Sequence, residues 1–180
     1  MTATHKATRT LVRRYHGVVI VLLATLTAAT WVTLLLVAPL LPGPAGAAVY
    51  AVGSFICHQI PERSFALAGA QLPVCARCLG LYAGGAFGVA SCLLAKADAI
   101  GVGSRRSVRR LAATAALPTV VTVALEVAGV WSSSNLTRAL AGVPFGWVVG
   151  LVVVAARPTL HYGRCEPPRP IAPNPPPPPT

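Results

Sequence analysis

Four apolar stretches dominate this sequence, and they restrict what it can fold into more than any other feature. They cover about residues 17–41, 73–95, 111–131 and 139–156. Each approaches the roughly 20 residues that an α-helix needs to cross the hydrocarbon core of a bilayer. With 54% hydrophobic and only 11% charged residues, the composition excludes an ordinary water-soluble enzyme. We therefore predict an all-α integral membrane bundle of four transmembrane helices.

The basic residues indicate how the four spans are oriented. Twelve of the 15 lysines and arginines lie before the first span, between the second and third, or after the fourth. Because basic residues are retained on the cytoplasmic side, we expect a basic cytoplasmic N-terminus over residues 1–16 and a cytoplasmic C-terminus. The loop over residues 42–72 then faces outward from the plasma membrane. The three remaining basic residues fall on that outer side: Arg63, Arg77 and Arg138.

A formal net charge of +11 raises the question of nucleic-acid binding. Aromatic residues do not alternate with the basic ones, as a surface for single-stranded nucleic acid would need. Basic residues beside membrane spans commonly contact anionic lipids instead. We therefore predict no nucleic-acid partner. The expected partner is the lipid bilayer, and a partner membrane subunit or a homo-oligomer stays open.

Two spans carry glycines at four-residue intervals, which places them on one face of each helix. Small residues on one face let helix backbones approach closely inside a membrane. We interpret both stripes as packing seams within the chain, with a dimer face as the alternative. The six glycines are Gly80, Gly84 and Gly88 in the second span and Gly142, Gly146 and Gly150 in the fourth.

Two segments outside the spans have distinct compositions. Residues 47–57 are apolar but too short to span a membrane and contain Gly53, which predicts a short interfacial or re-entrant helix. Residues 157–180 form a proline-rich tail, for which we predict a disordered cytoplasmic segment of polyproline II character. Residues 17–156 are therefore the predicted membrane domain.

The residues that can carry chemistry gather around the outer loop. Cys57 and His58 follow the predicted short helix, and Cys75 and Cys78 lie at the beginning of the second span. A helix that begins at a nearby proline would hold the last two on one face. The positive end of that helix, together with Arg77, is expected to favour the thiolate form of these cysteines.

Three chemical interpretations of this cluster stay open, and with them the question of whether the protein is an enzyme. Three thiols and one imidazole match a closed zinc site, which predicts a transition metal, zinc or iron, on Cys57, His58, Cys75 and Cys78. Adjacent side chains point apart, so His58 could ligate beside Cys57 only from a turn. A CxxC outside the cytoplasm also suits a membrane thiol-disulfide oxidoreductase. The third interpretation is a non-catalytic scaffold with a structural disulfide.

Glu126 lies in the outer half of the third span, and an ionisable residue at membrane depth marks a candidate functional site. Its expected partners are basic: Arg138 follows shortly after, and Arg63 and Arg77 come from the cysteine loop. We expect these residues, with Asn135, to support the cluster. An ion pair that fixes the loop onto the bundle is one interpretation of Glu126, and proton transfer or cation binding is the other.

The longest motifs run through the outer loop and the second span. They extend without a gap from Cys57 to Phe65 and continue as Gln71-x-Pro73-Val74-Cys75-Ala76-Arg77-Cys78-x-Gly80-x-Tyr82-x-Gly84. A second motif reads Ser134-Asn135-x-x-Arg138, followed by Gly142 and Gly146. Over roughly residues 47–152 the chain closely resembles the prokaryotic membrane protein family called domain of unknown function 2085. The resemblance implies a multi-pass membrane protein and no particular activity. Glu126 departs from the aspartate usual in that family's third span.

Overall fold

Five α-helices make up most of the computed structural model, which describes residues 3–94 and 104–155. They are α1 (Ala3–Val37), α2 (Gly43–Ile56), α3 (Ala76–Leu94), α4 (Arg105–Val127) and α5 (Asn135–Ala155). The proline-rich tail predicted for residues 157–180 lies outside the described residues.

Four helical segments within the described ranges are long and apolar enough to cross a membrane. They are Tyr15–Leu40, Ala76–Leu93, Arg105–Val127 and Asn135–Ala155. The predicted all-α membrane bundle of four long apolar helices is therefore confirmed. The short apolar helix between the first two spans is α2, which begins a few residues before the predicted 47–57 because a proline fits its first turn, where N–H groups have no helical partner.

Serine caps explain why α4 and α5 begin before the apolar spans predicted at residues 111 and 139. The Ser104 side chain accepts a hydrogen bond from the Ser107 backbone N–H at 3.1 Å. The Ser134 side chain likewise accepts a hydrogen bond from the Thr137 backbone N–H at 3.2 Å. Each serine satisfies one of the N–H groups left without a partner at a helix start, so the helix extends into polar sequence that hydropathy does not include.

A compact loop joins α2 to α3. It contains a short 3₁₀ turn over Pro61–Arg63 and two antiparallel strands of two residues each, β1 (Ala66–Leu67) and β2 (Ala70–Gln71). Ala66 pairs with Gln71 and Leu67 with Ala70. Gly69, in the turn between the strands, has a φ of 80°, which a glycine adopts without steric strain.

Three pairs of long helices account for most of the packing between the long helices. The most extensive packing joins α3 to α5, while α1 packs on α3 and α4 packs on α5. The six glycines of the two stripes lie in the seam between α3 and α5. A Cβ built on any of them would overlap a backbone carbonyl of the facing helix, such as that of Val143 for Gly84 and that of Leu81 for Gly146. The seam is therefore a backbone-to-backbone contact that only glycine permits.

The buried apolar residues include two separate groups. One, around Val21, Val89 and Val154, packs against Cys92. The other includes Leu35, Val49, Leu72 and Val74, and it packs against the cysteines of the loop. The second group fixes the loop and α2 onto the beginning of α3, and the candidate site is built there.

Candidate functional site

Cys57 is placed by the end of α2. Its backbone N–H donates to the Gly53 carbonyl at 2.9 Å, and the chain turns to an extended conformation at this residue. Gly53 packs directly against the Pro73 carbonyl, which a Cβ at this position would overlap. The absence of a side chain at Gly53 thus lets α2 lie against the segment that leads into α3, and it brings Cys57 to the other two cysteines.

Gln59 holds the turn that follows Cys57. Its backbone has a φ of 52°, which is uncommon for a residue other than glycine. The Gln59 side-chain amide donates at 2.8 Å both to the Tyr50 carbonyl on α2 and to the Pro73 carbonyl before α3. One amide group therefore ties together the two segments that carry the cysteines.

Gln71 completes this hydrogen-bond network from the hairpin. The Gln71 side-chain amide donates to the Gln59 backbone carbonyl at 2.6 Å. The Gln71 backbone carbonyl accepts a hydrogen bond from the Tyr50 hydroxyl. We did not predict a role for Gln59 or Gln71 from the sequence. The available signal was their position inside the longest motif, because a glutamine in an otherwise apolar setting needs partners for its amide.

Cys75 lies at the start of α3, two residues after Pro73, where the sequence predicts that this helix begins. Its carbonyl accepts the first hydrogen bond of the helix, from the Leu79 N–H at 3.0 Å, so Cys75 occupies the capping position. Cys78 then falls in the first turn, on the same side of the helix. Pro73 and Val74 precede the helix and are buried against α2.

The three loop cysteines come together, as the sequence predicts. Their sulfur atoms all lie within 4.8 Å of one another. The sulfurs of Cys75 and Cys78 are 3.3 Å apart, and the Cys57 sulfur accepts a hydrogen bond from the Cys75 N–H at 3.2 Å. Cys57 is buried and the other two are half-buried, and all three are free thiols.

His58 and Cys92 lie outside this group of sulfurs. The ring nitrogens of His58 are not among the ligand atoms that lie within 4.8 Å of one another. Its exposed side chain lines the cavity beside the cysteines. Cys92 lies more than three helical turns further along α3 and donates weakly to the Gly88 carbonyl at 3.5 Å.

Cys75 has the electrostatic character of a thiolate. The hydrogen bond with the Cys78 thiol lowers the pKa of Cys75 from the ordinary 9.0 to about 5. Burial opposes this shift, while the Cys78 N–H, the Cys57 thiol and the Arg77 charge add to it. A thiolate at neutral pH is the form that binds metals and attacks disulfides.

A partly buried ion-pair network lies beside the sulfurs. The Glu126 carboxylate of α4 accepts from Arg138 Nε at 3.0 Å and from Arg77 Nη2 at 3.4 Å. Arg138 also donates to the Asn135 side chain at 3.0 Å, and the Asn135 amide donates to the Ser64 carbonyl at 2.8 Å. The network therefore connects α3, α4 and α5 to the loop, and it contains the predicted supporting residues except Arg63.

A cavity of about 180 Å³ opens onto both the cysteines and the arginines. The three sulfur-bearing residues line it together with His58, Gln59 and three arginines, which are Arg63, Arg77 and Arg138. A second cavity of similar volume adjoins it and is lined by Glu126, Trp131 and two of the same arginines. The candidate site is thus a pocket with soft sulfur ligands on one side and cationic groups on the other.

Comparison with known proteins places this region in a family. The family model described as "Predicted membrane protein (DUF2085)" matches residues 57–152, which include all three cysteines of the cluster and the ion-pair network. An uncharacterized protein of Methanocaldococcus jannaschii is 58% identical over 36 residues, which cover 20% of this chain and 23% of that protein. The chain therefore aligns with about a quarter of that relative's length.

A second relative aligns over a longer range. An uncharacterized protein of Methanothermobacter thermautotrophicus is 34% identical over 100 residues, which cover 56% of this chain and 84% of that protein. No solved structure gives a significant match to the chain.

Proposed function

We propose that this chain, a multi-pass membrane protein that belongs to the family called domain of unknown function 2085, binds a transition metal at its cysteine cluster. The proposed ligands are the thiolates of Cys57, Cys75 and Cys78. These residues come from two segments 18 residues apart in the chain.

The single observation that carries this proposal is the convergence of three free thiols within 4.8 Å. Two sulfurs bound to one tetrahedral zinc ion, at about 2.3 Å each, stand about 3.8 Å apart. The separations in the cluster therefore suit a shared ion with small side-chain movements. Sulfur ligands favour soft or borderline metals such as zinc and iron over calcium or magnesium.

We propose His58 as the fourth ligand. It follows Cys57 directly and lines the same cavity, so its imidazole approaches the sulfurs only if its exposed side chain turns inward. A closed site with three cysteines and one histidine would be structural, whereas a water or substrate at the fourth position would leave the metal open for catalysis.

We further propose that the cluster faces outward from the plasma membrane. The positive-inside distribution of the basic residues supports this orientation. The ion-pair network of Glu126, Arg77 and Arg138, with Asn135, would then hold the loop over the outer ends of the helices and keep the three thiols in register.

Elemental analysis tests the proposal. The protein is purified without oxygen in a mild non-ionic detergent, and bound metal is measured by mass spectrometry alongside the number of reactive thiols. We expect about one equivalent of zinc or iron in the wild type, and less than about half of that after Cys57→Ser or Cys78→Ser, because fewer thiolates then hold the ion. Cys92→Ser is the matched control, since it removes a cysteine of the same helix outside the cluster.

Two results would overturn the metal proposal. One is a wild-type protein that is purified without metal and binds neither zinc nor iron when either is added. The other is equal metal loss in Cys78→Ser and Cys92→Ser, which would attribute the loss to the fold and not to the cluster. His58→Ala separates the two kinds of site, because a structural ion would be lost with the imidazole while an open site would retain it.

Thiol-disulfide exchange is a second candidate function, favoured by the low pKa of Cys75 next to the thiol of Cys78. The Cys75 thiolate would attack a substrate disulfide, form a mixed disulfide and release one substrate thiolate. Cys78 would then attack the Cys75 sulfur and pass its proton to the second substrate thiolate as it leaves. The substrate disulfide is reduced to two thiols, and Cys75 and Cys78 are oxidised to a disulfide.

Trapping of the mixed disulfide tests this second function. With Cys78→Ser, the intermediate on Cys75 has no resolving thiol and should accumulate with a disulfide such as oxidised glutathione. Cys75→Ser lacks the attacking thiol and is the control that should form no adduct. If Cys78→Ser forms no more adduct than Cys75→Ser does, exchange is excluded. A stable Cys75–Cys78 disulfide, with neither metal nor adduct, would instead identify a scaffold with a structural bond.

A further inference from the structure

The cavity beside the cysteines carries more positive charge than its surroundings neutralise. Arg63, Arg77 and Arg138 all line it. Among the described residues, Glu126 is the carboxylate that forms ion pairs with these arginines, and it pairs with Arg77 and Arg138. Arg63 forms no ion pair within the described part of the chain. Two of the three guanidinium groups thus share one carboxylate, and the third pairs with none within residues 3–94 and 104–155.

The cysteines do not remove this excess. A Cys75 thiolate contributes one negative charge, and three thiolates on a divalent metal also leave one negative charge in total. In either state the three arginines carry three positive charges, whereas Glu126 and the cluster together carry two negative charges. Arg63 is exposed while Arg77 and Arg138 are half-buried, so solvent screens the excess positive charge only in part, and an anionic ligand in the cavity would be stabilised.

Arg77 provides a second observation that points to a ligand. Its Nη2 atom binds Glu126 and Thr122, but its Nε atom is buried and has no hydrogen-bond partner. A buried N–H without a partner carries a desolvation penalty, which is larger for a charged group. Because Nε is closed to solvent, an acceptor atom in the cavity that Arg77 lines would satisfy this group once the Arg77 side chain turns toward it.

We propose that the cavity binds the oxyanion group of a small anionic molecule, a carboxylate or a phosphate, on Arg63, Arg77 and Arg138. Guanidinium groups match these planar or tetrahedral anions through paired hydrogen bonds. The volume of about 180 Å³ is well above the roughly 10–15 Å³ that one water molecule needs on the same measure, which suffices for one such group. The rest of the molecule would lie against the three sulfurs or the metal that they bind.

This inference adds a ligand class to the proposed metal site and rests on that proposal for the sulfur side of the cavity. The arginine side is independent of it. An anion can therefore bind to the metal-free protein. Anion binding to that protein tests the anion site separately from the metal site.

The test measures binding of inorganic phosphate and of acetate to the detergent-solubilised full chain by isothermal titration calorimetry. It is carried out with metal-free and zinc-loaded protein, at constant ionic strength set with sodium chloride. A second arm replaces the soluble anions with phosphatidic acid in mixed micelles, against phosphatidylcholine, because a lipid headgroup presents the same phosphate chemistry. Arg63→Gln is the test variant, since this exposed arginine has no ion pair to lose, and Arg105→Gln at the exposed start of α4 is its control.

We expect Arg63→Gln to weaken binding of phosphate or acetate by about tenfold or more, the effect of losing one charge-assisted hydrogen bond, while Arg105→Gln changes it little. Binding by phosphatidic acid alone, with the same dependence on Arg63, would support the proposal and identify a lipid as the source of the anion. No binding of any probe, or equal binding in both variants and the wild type, would overturn it. Arg63-dependent anion binding without any metal uptake would leave this inference standing and refute the metal site.

Discussion

The sulfur of Cys57 accepts a hydrogen bond from the backbone N–H of Cys75 at 3.2 Å. This contact joins the end of α2 to the first residue before α3. Unpaired N–H groups at a helix start favour a negative or polarisable acceptor, and a cysteine sulfur supplies one here. The same atom that we propose as a metal ligand therefore also stabilises the start of the helix that carries the other two thiols.

The Cys57→Ala variant should consequently be less stable than the wild type even without metal. The substitution leaves the Cys75 N–H without its partner and removes a buried sulfur, at a cost of about 1–3 kcal/mol. Thermal unfolding of metal-free protein in detergent measures the effect. Cys92→Ala should show a smaller loss, because its weak hydrogen bond lies within one helix. Equal losses in the two variants would contradict the role of Cys57 as a cap.

The seam between α3 and α5 makes a second prediction. Gly84→Ala should destabilise the protein by about 1–3 kcal/mol, because the new Cβ would overlap the Val143 carbonyl and force the helices apart. Gly85→Ala is the neighbouring control: its Cβ would meet only the Gly146 carbonyl, at an ordinary 3.7 Å. Denaturation by sodium dodecyl sulfate in mixed micelles measures both. Similar stabilities for the two variants would show that the seam tolerates a methyl group.

The number of long helices, their glycine packing faces and the meeting of the cysteines could be predicted from the sequence, because they depend on simple periodic or chemical signals. Apolar stretches near 20 residues indicate spans, and glycines four residues apart indicate a close helix contact. Cys75 and Cys78 are near neighbours on one helix by their spacing alone. The partnership of Glu126 with Arg138 and Arg77 follows from the need of a buried charge for an opposite one.

The shape of the loop could not be predicted in the same way. Its geometry depends on Gln59, whose left-handed backbone and two carbonyl contacts arise only when α2 and the segment before α3 are already packed. The contact of Asn135 with the Ser64 carbonyl spans 71 residues of sequence. No local pattern indicates such pairings, because a side-chain amide can bind any nearby carbonyl. The position of His58 outside the group of sulfurs follows from this turn.

The reactivity of Cys75 should depend on pH in a way that reports its lowered pKa. The folded pKa of about 5 lies below the ordinary 9.0, so the thiolate persists in the metal-free protein down to about pH 5. Alkylation by iodoacetamide, followed residue by residue with mass spectrometry, should therefore stay fast from pH 9 to pH 6 and fall below about pH 5. Because the folded state holds fewer protons than the unfolded state, this thiol's contribution to stability is complete above pH 9 and is lost as the pH falls through about 5.

Cys78→Ala provides the control for this pH profile. The variant removes the hydrogen bond that contributes most to the low pKa of Cys75, so the midpoint of the alkylation profile should move upward, toward 9. At pH 6 the variant should then react more slowly than the wild type. An unchanged midpoint in Cys78→Ala would show that another group, such as Arg77, controls the thiolate.

The ion pair between Glu126 and Arg138 makes the last prediction. Their side chains are 9% and 11% exposed, and Nε lies 3.0 Å from the carboxylate. Glu126→Gln keeps the shape of the side chain but leaves Arg138 and Arg77 without a counter-charge, which should lower the free energy of unfolding by about 1–3 kcal/mol. The variant should also retain less metal, since the network fixes the loop that carries Cys57. Unfolding in mixed micelles and elemental analysis measure the two effects.

A double-mutant cycle distinguishes a direct interaction of Glu126 with Arg138 from a general effect of either substitution. Arg138→Gln should cost less in the Glu126→Gln background than in the wild type, because removing the arginine also removes the unpaired charge. We expect the difference to be about 1–3 kcal/mol, the range for residues in direct contact within one network. Thr114→Val, at an exposed site on the same helix as Glu126, should combine additively with either variant. Additive effects of Glu126→Gln and Arg138→Gln would mean that the two side chains do not stabilise each other and that the loop is held by other contacts.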